Sequence, residues 1–283
     1  MASVERTPVL SAPLRRRLVH GGLIAVAVIY VGALVLAPLL GIAWATIHAG
    51  WDAWKATFQD PTARHAYYLT GLITVITVAV TSVFGVVVAL VLTRDRFPGK
   101  AIVSAIVDLP FAVSPIIVGL MAVLLFGRGG WFAAWFEAHG IQMLYAVPSM
   151  VLVTIFICIP FVIREVAPVL QELGTQEEEA SKTLGASSFT TFRRVTLPNI
   201  RWGLLYGIAL SAARSIGEVG AVLVVSGSLM GQTETAPLYI LRQFEQNGDA
   251  SAYIVALTLA LASIVLLSGI EIMKARYERK RSR

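Results

Sequence analysis

The 283-residue chain is short of charge: Asp, Glu, Lys and Arg make up only 14% of it, against about 25% in soluble globular domains. A water-solvated surface cannot be built from so little charge, and the 57% hydrophobic content points to a chain solvated by lipid. Cysteine is almost absent. Cys158 stands alone, which excludes a disulfide framework within the chain and leaves it a small packing residue. Four histidines, His20, His48, His65 and His139, are scattered at the edges of apolar stretches, and none has the spacing of a metal ligand set. The phosphate-loop pattern G-x-x-x-x-G-K-[ST] is missing as well. Gly99-Lys100 is followed by Ala101 and lacks the upstream glycine, so ATP hydrolysis by such a loop would have to come from another polypeptide.

What the chain does have is long apolar runs. Residues 21–47, 66–93, 109–127, 140–163 and 250–270 carry no Asp, Glu, Lys or Arg, and about 20 apolar residues cross the hydrocarbon core as a helix. A sixth region, 202–226, has the right length but is interrupted by Arg214 and Glu218. The pattern predicts an all-α integral membrane protein with six transmembrane helices and no room for a second soluble domain. It divides into an N-terminal segment 1–20, a helical membrane domain 21–273 and a basic tail 274–283. Arg15-Arg16-Arg17 before the first run imitate a signal peptide. A signal core is only about 7–15 residues long, so the first run is expected to be a retained anchor.

Basic residues orient the chain. Of its 23 Lys and Arg, 18 fall in 1–20, 94–100, 164–201 and 274–283, which alternate with the spans so as to share one side. Lys55, Arg64, Arg128 and Arg242 fall on the other, and Arg214 lies within a span. The richer side is expected to be cytoplasmic, with both termini there. The formal charge of +6 is accounted for by this topogenic bias and a lipid-facing basic rim, without nucleic acid.

Between the fourth and fifth spans lies a polar segment with strong helix punctuation. Thr175-Gln176-Glu177-Glu178 fits a capping box. Glu177 to Glu179 then fall in a first turn, where the helix dipole favours them, and Gly185 is a natural left-handed stop. A second short helix is expected from Ser187 or Ser188 to Val195, ended by Pro198, with Phe189 and Phe192 as its apolar edge. A helix lying on lipid headgroups is the plainer reading, but three consecutive acids are repelled by an anionic leaflet. A protein acceptor fits better.

The string Glu179-Ala180-Ser181-Lys182-Thr183-Leu184-Gly185, followed after nine residues by Val195-Thr196-Leu197-Pro198, resembles the cytoplasmic coupling loop of ABC-importer permeases. Ser181 departs from the pattern, where many members have a second alanine, but it is equally small. Three further strings resemble sulfate/thiosulfate importer permeases: Asp108 to Pro115, Thr196 to Gly203, and Ala213 to Val222. Val225 to Thr233 leans towards the W-type subunit over its T-type sibling. Molybdate and tungstate permeases share the A-R-x-x-G-E-x-G-A pattern, so the oxyanion class is better defined than the anion. The resemblance covers about residues 67–270 and implies a type I ABC permease fold with cytoplasmic coupling helices. It also implies two copies of a separate ATPase subunit, a second, T-type permease and an extracytoplasmic sulfate-binding protein. ATP would be bound by the ATPase, and the chain itself would carry no cofactor. On that basis Glu179, Ala180, Leu184, Gly185, Leu197 and Pro198 are the expected ATPase-coupling residues.

Ionisable groups within spans raise a functional question by default. Arg214 lies near the middle of the fifth region, and Glu218 follows four residues later, on the same helical face. They either define a passage for a dianion or form a buried pair that fixes helix packing. Asp108, about two turns into a third helix beginning near Ala101, suits structure or gating, since a carboxylate repels sulfate. Pro110 and Pro115 break backbone hydrogen bonding near Ser114, whose hydroxyl could line a cavity. Gly203, Gly207, Gly217 and Gly220 are expected to let helices approach closely. An ion-coupled secondary transporter would need internal symmetry between paired half-spans, and a membrane-embedded enzyme would need a catalytic cluster. The sequence shows neither. The charge asymmetry predicts that an impermeant thiol reagent added outside cells labels a cysteine placed at Asp52 or Asn247 but not one at Gln176; labelling at Gln176 would reverse the orientation.

Overall fold

Helix α3 (Pro61–Arg94) starts sharply because its first residues are built to start it. Asp60 precedes it, accepting from the Thr62 N–H at 2.9 Å, and Pro61 supplies a preset φ at the first helical position. Burial raises the Asp60 carboxyl, but hydrogen bonds from Thr62 and Tyr239 outweigh it and hold the pKa below the ordinary carboxylate value. Along α3, Ala63, Ala66, Thr70, Ile73, Thr77, Thr81 and Ala89 repeat at helical spacing and are buried. That face packs on α7 (Val147–Leu173) and α10 (Leu197–Ile216), and these three helices form the centre of the molecule.

The computed structural model describes residues 12–281, with side chains described for 21–275. Parts of the expected segment 1–20 and tail 274–283 therefore lie outside the described residues. The remaining elements are α1 (Ala12–His48), α2 (Gly50–Gln59), α4 (Lys100–Ala112), α5 (Pro115–Phe126), α6 (Ala133–Ala138), α8 (Gln176–Thr183), α9 (Ser188–Thr191), α11 (Gly220–Ser226), α12 (Ala236–Glu245) and α13 (Asp249–Arg281). Strands are absent among the described residues. Four helices, α1, α3, α7 and α13, are long and apolar enough to cross a membrane, and two bent pairs bring the total to as many as six. The apolar stretch of α1 is unburied by the rest of the chain, and this helix touches only α13 and α2 appreciably.

The bent pairs correct the expected third and fifth spans. The third, expected to begin near Ala101, is two helices rather than one. α4 begins at Lys100 and ends at Ala112, and α5 leaves at 112° to it. Pro115 forces the preceding Ser114 out of the helical region, to φ −59° and ψ 137°, which stops the first helix and lets the second start in a new direction. The fifth region breaks at 217–219, and α11 turns 54° away from α10. The fourth span is also displaced. Residues 140–146 are connection rather than helix: Tyr145 takes a φ of 55° and donates its N–H to Val225 O at 2.8 Å, and α7 runs on to Leu173.

Helices approach closely around Val162, which is fully buried. A Cβ at Gly85 would lie 2.7 Å from its Cγ1, and a Cβ at Gly207 would lie 2.9 Å from its Cα, so the two glycines bracket it from α3 and α10. Gly203 and Gly220 make similar approaches, to Glu165 O and Pro115 Cβ. Gly217 does not. The nearest atom to a Cβ there is 3.8 Å away, because it sits in the helix break. Hydroxyls stitch α3 to α10 and α12: Thr81 pairs with Ser211 at 3.1 Å, Ser215 donates to Thr74 at 3.1 Å, and the Ala236 N–H donates to Thr70 at 2.8 Å. Replacing Gly207 by alanine should overpack the α7–α10 contact and cost about 1–3 kcal/mol. The same change at Gly71, which faces open space, should be neutral. Unfolding midpoints of the two variants in detergent check the difference.

Candidate functional site

At one end of the bundle, α8, α9 and a π turn over Phe192–Thr196 form a rigid bracket between α7 and α10. The corner between α8 and α9 is a Schellman motif: the Ala186 N–H reaches Ser181 O at 3.2 Å and the Gly185 N–H reaches Lys182 O at 2.9 Å. Gly185 has a φ of +83°, the left-handed value that its position was expected to need. Ser187 caps α9, its Oγ accepting from the Thr190 N–H.

Two local expectations fail. The capping box does not form: Thr175 makes no cap bond, and its hydroxyl donates to Glu179 Oε1 at 2.7 Å. Glu178 is drawn away by Arg94 at the end of α3, whose Nε and Nη2 each meet one of its oxygens at 3.1 Å. A charge-assisted bidentate pair outweighs a single neutral cap bond. Pro198 also does not end the second helix. The chain continues through it into α10, because the wider π turn before it absorbs the missing N–H and the ring's clash with the preceding turn.

The acidic run is thus spent within the chain. Glu178 also accepts from Thr196 Oγ1 at 3.0 Å, Arg94 Nη1 donates to Leu170 O at 3.0 Å, and Asn199 donates to Glu177 at 2.6 Å. These bonds clamp the bracket to α3, α7 and α10. Two large apolar side chains also stand outward: Leu184 is 89% exposed and Phe189 71% exposed. Glu179, Ala180 and Pro198 are also exposed, whereas Leu197 is half-buried against Ile200 and its neighbours. The sequence reading missed Arg94, whose signal was only a basic residue closing a long apolar helix.

The structure brings Arg214 and Glu218 together at 2.6 Å, with Arg214 31% exposed and Glu218 2% exposed. Glu218 is in the break rather than on a continuing helix, and its other oxygen accepts from the Ala221 N–H at 2.9 Å, at the start of α11. The pair therefore braces the bend. Ser114 is exposed, with no side-chain cap bond to α5. Asp108 lies on α4, apart from these groups, and binds Arg164 of α7 through Oδ1, at 2.9 Å from Nε and 2.6 Å from Nη2. Arg164 was not singled out in the sequence, because it lies just past an apolar run, where a flanking charge is ordinary.

A multi-pass helical bundle with two broken spans and a rigid helical bracket at one end is the fold of a type I ABC importer permease. The chain superposes on one of a bacterial alginate ABC transporter, solved with its alginate-bound periplasmic protein, with a TM-score of 0.77. That match covers 94% of this chain and 96% of the other at 18% identity. Residues 81–282 match the family described as binding-protein-dependent transport system inner membrane component, and the chain belongs to that family. It is 44% identical to the sulfate transport system permease protein CysW of Synechocystis, over 90% of this chain and 92% of that protein. It is 34% identical to the CysT permease protein of the sulfate system of Escherichia coli K12, over 89% and 91% respectively. It is thus CysW-like, a transport component rather than an enzyme.

Losing Arg214 alone should strand the buried Glu218 and destabilise the protein by about 3–5 kcal/mol. The double variant Arg214→Gln, Glu218→Gln keeps an acceptor for Ala221 and should recover most of that loss. Unfolding midpoints in detergent decide it: a double variant no better than the single would show that the pair is not a brace.

Proposed function

We infer that this chain is the W-type permease subunit of an ATP-driven sulfate/thiosulfate importer. It forms part of the passage and takes its power from a separate ATPase subunit that binds the ATP. The observation that carries this reading is the bracket: apolar Leu184 and Phe189 offered outward from a turn clamped to α3, α7 and α10. An exposed apolar tip on so rigid a mount suits a groove in a soluble partner, and displacement of that partner is passed to the bundle. Glu179, Ala180, Leu184, Gly185, Leu197 and Pro198 are the coupling residues on this reading, with Arg94 and Glu178 as the clamp. Two ATPase copies, a T-type permease and an extracytoplasmic sulfate-binding protein complete the assembly. Both termini and the bracket face the cytoplasm on this reading, which the basic asymmetry supports. Sulfate is favoured over molybdate or tungstate by the CysW and CysT relatives.

The test is ATP hydrolysis by the purified complex in lipid, with and without sulfate-loaded binding protein. Loaded binding protein should stimulate hydrolysis. Gly185→Val, which forces a β-branched residue to a φ of +83° at about 1–2 kcal/mol and dislocates the corner, should abolish stimulation or uncouple it from uptake. Normal uptake by a well-assembled Gly185→Val complex would refute the coupling role. A complex that never captures an ATPase would refute the importer reading.

A further inference from the structure

A cavity of about 610 Å³ opens beside α4 and α7 on the bracket's side of the bundle. Its polar lining is Lys100, Ser104, Asp108, Arg164 and Gln171. Every lining residue belongs to α3, α4 or α7, and the cavity is open on one side, so this chain supplies one wall of it. The lining holds two cations, Lys100 and Arg164, against one carboxylate, Asp108, and so carries a net charge of +1.

The depth of the ion pair matters. Asp108 lies eight residues from the start of α4, about 12 Å of helical rise, and Arg164 nine residues from the end of α7, about 13 Å. Around them on α4, Ile102, Ile106 and Phe111 are exposed. Charges this far along apolar helices are costly against lipid and are expected beside a bundle interior or water. Arg164 is 54% exposed and Asp108 37% exposed, in contrast with the enclosed Glu218. The adjoining cavity gives the pair an opening other than lipid.

The pair is also poorly matched. Both guanidinium contacts converge on one oxygen, Asp108 Oδ1, in place of the parallel, two-oxygen fork a guanidinium makes with a carboxylate. The fork is therefore not fully used here, and a tetrahedral oxyanion, like a carboxylate, can meet it with two oxygens.

We propose that Arg164 is the anion-contacting cation of this chain's half of the passage, and that Asp108 is the counter-charge it leaves when the anion arrives. With Arg164 on Asp108 the two charges cancel each other, and the wall's net charge of +1 rests on Lys100 alone. With Arg164 turned to the cavity, the wall attracts a dianion. This rests on the oxyanion-importer reading and adds to it the residue that meets the anion.

Two measurements test it on the assembled transporter. First, Ser104→Cys places a thiol in the cavity wall, and the native Cys158 is buried, so labelling reports the cavity. An anionic, sulfonate-bearing thiosulfonate should react about tenfold faster than a cationic, trimethylammonium-bearing one, as a cationic cleft concentrates anions. Adding Arg164→Gln should erase that preference, and adding Asp108→Asn should increase it. An unreactive thiol, or a preference that survives Arg164→Gln, would overturn the proposal.

Second, uptake of radiolabelled sulfate separates contact from packing. Arg164→Gln should cut uptake about tenfold, the loss of one charged hydrogen-bond partner, while loaded binding protein still stimulates ATP hydrolysis. Arg164→Lys should recover part of it. The double variant Asp108→Asn, Arg164→Gln leaves no orphaned charge, so it is the form to read if the single variant fails to assemble, and it too should transport poorly. Full uptake by that double variant would make the pair structural and sink the assignment. If the wild type carries no sulfate while the labelling preference holds, the sulfate reading fails and the role of Arg164 stands.

Discussion

Val162 is gripped between two glycines, and the rest of the molecule is arranged around that contact. Gly85 of α3 and Gly207 of α10 each bring a helix backbone against it at a distance no Cβ would tolerate. In lipid there is little hydrophobic drive to bring helices together, because the acyl chains are as apolar as the side chains they would replace. Close backbone packing and interhelical hydroxyl bonds must do it, and both are found along this seam. The Thr81–Ser211 and Ser215–Thr74 bonds lie on the same α3–α10 interface. Each such bond is worth only about 0.6 kcal/mol in a membrane, so the seam depends on their number and on the small residues between them.

The three-helix centre gives the bracket something rigid to push against. Arg94 closes α3, Leu170 belongs to the last turns of α7, and Thr196 leads into α10. Glu178 or its partner Arg94 bonds to all three. A force on Leu184 and Phe189 is therefore delivered to the helices that meet at Val162 rather than dissipated in a loose loop. The π turn and Pro198 make the bracket continuous with α10, which shortens that path further.

Three of the ion pairs among the described residues differ in burial, and their roles differ with it. Glu218 is enclosed and bonded to the start of α11, so its pair with Arg214 holds a bend. The Arg94–Glu178 pair is half-hidden and holds the bracket. Asp108 and Arg164 are open to a cavity, with both guanidinium contacts on one carboxylate oxygen. Buried pairs resist change because separating them strands a charge, whereas a hydrated pair exchanges partners cheaply.

Much of this was legible in the sequence alone. The scarcity of charge and the length of the apolar runs determined a multi-span helical membrane protein, because lipid leaves no other way to satisfy backbone groups there. The spacing from Glu179 to Pro198 marked the bracket, and Gly185 its left-handed corner, since these are local properties of the backbone. Tertiary structure decided the rest. Which acid would clamp the bracket depended on Arg94, 84 residues away from Glu178, and no local rule could choose it over a cap. The breaks at Ser114 and Gly217 were marked by proline and glycine, but their angles came from packing, as in the contact of Gly220 with Pro115. Arg164 looked like an ordinary flanking charge until α4 laid Asp108 against it. Pairing between distant segments is set by how helices lie against one another, and a linear pattern of hydrophobicity carries only which face each helix turns inward.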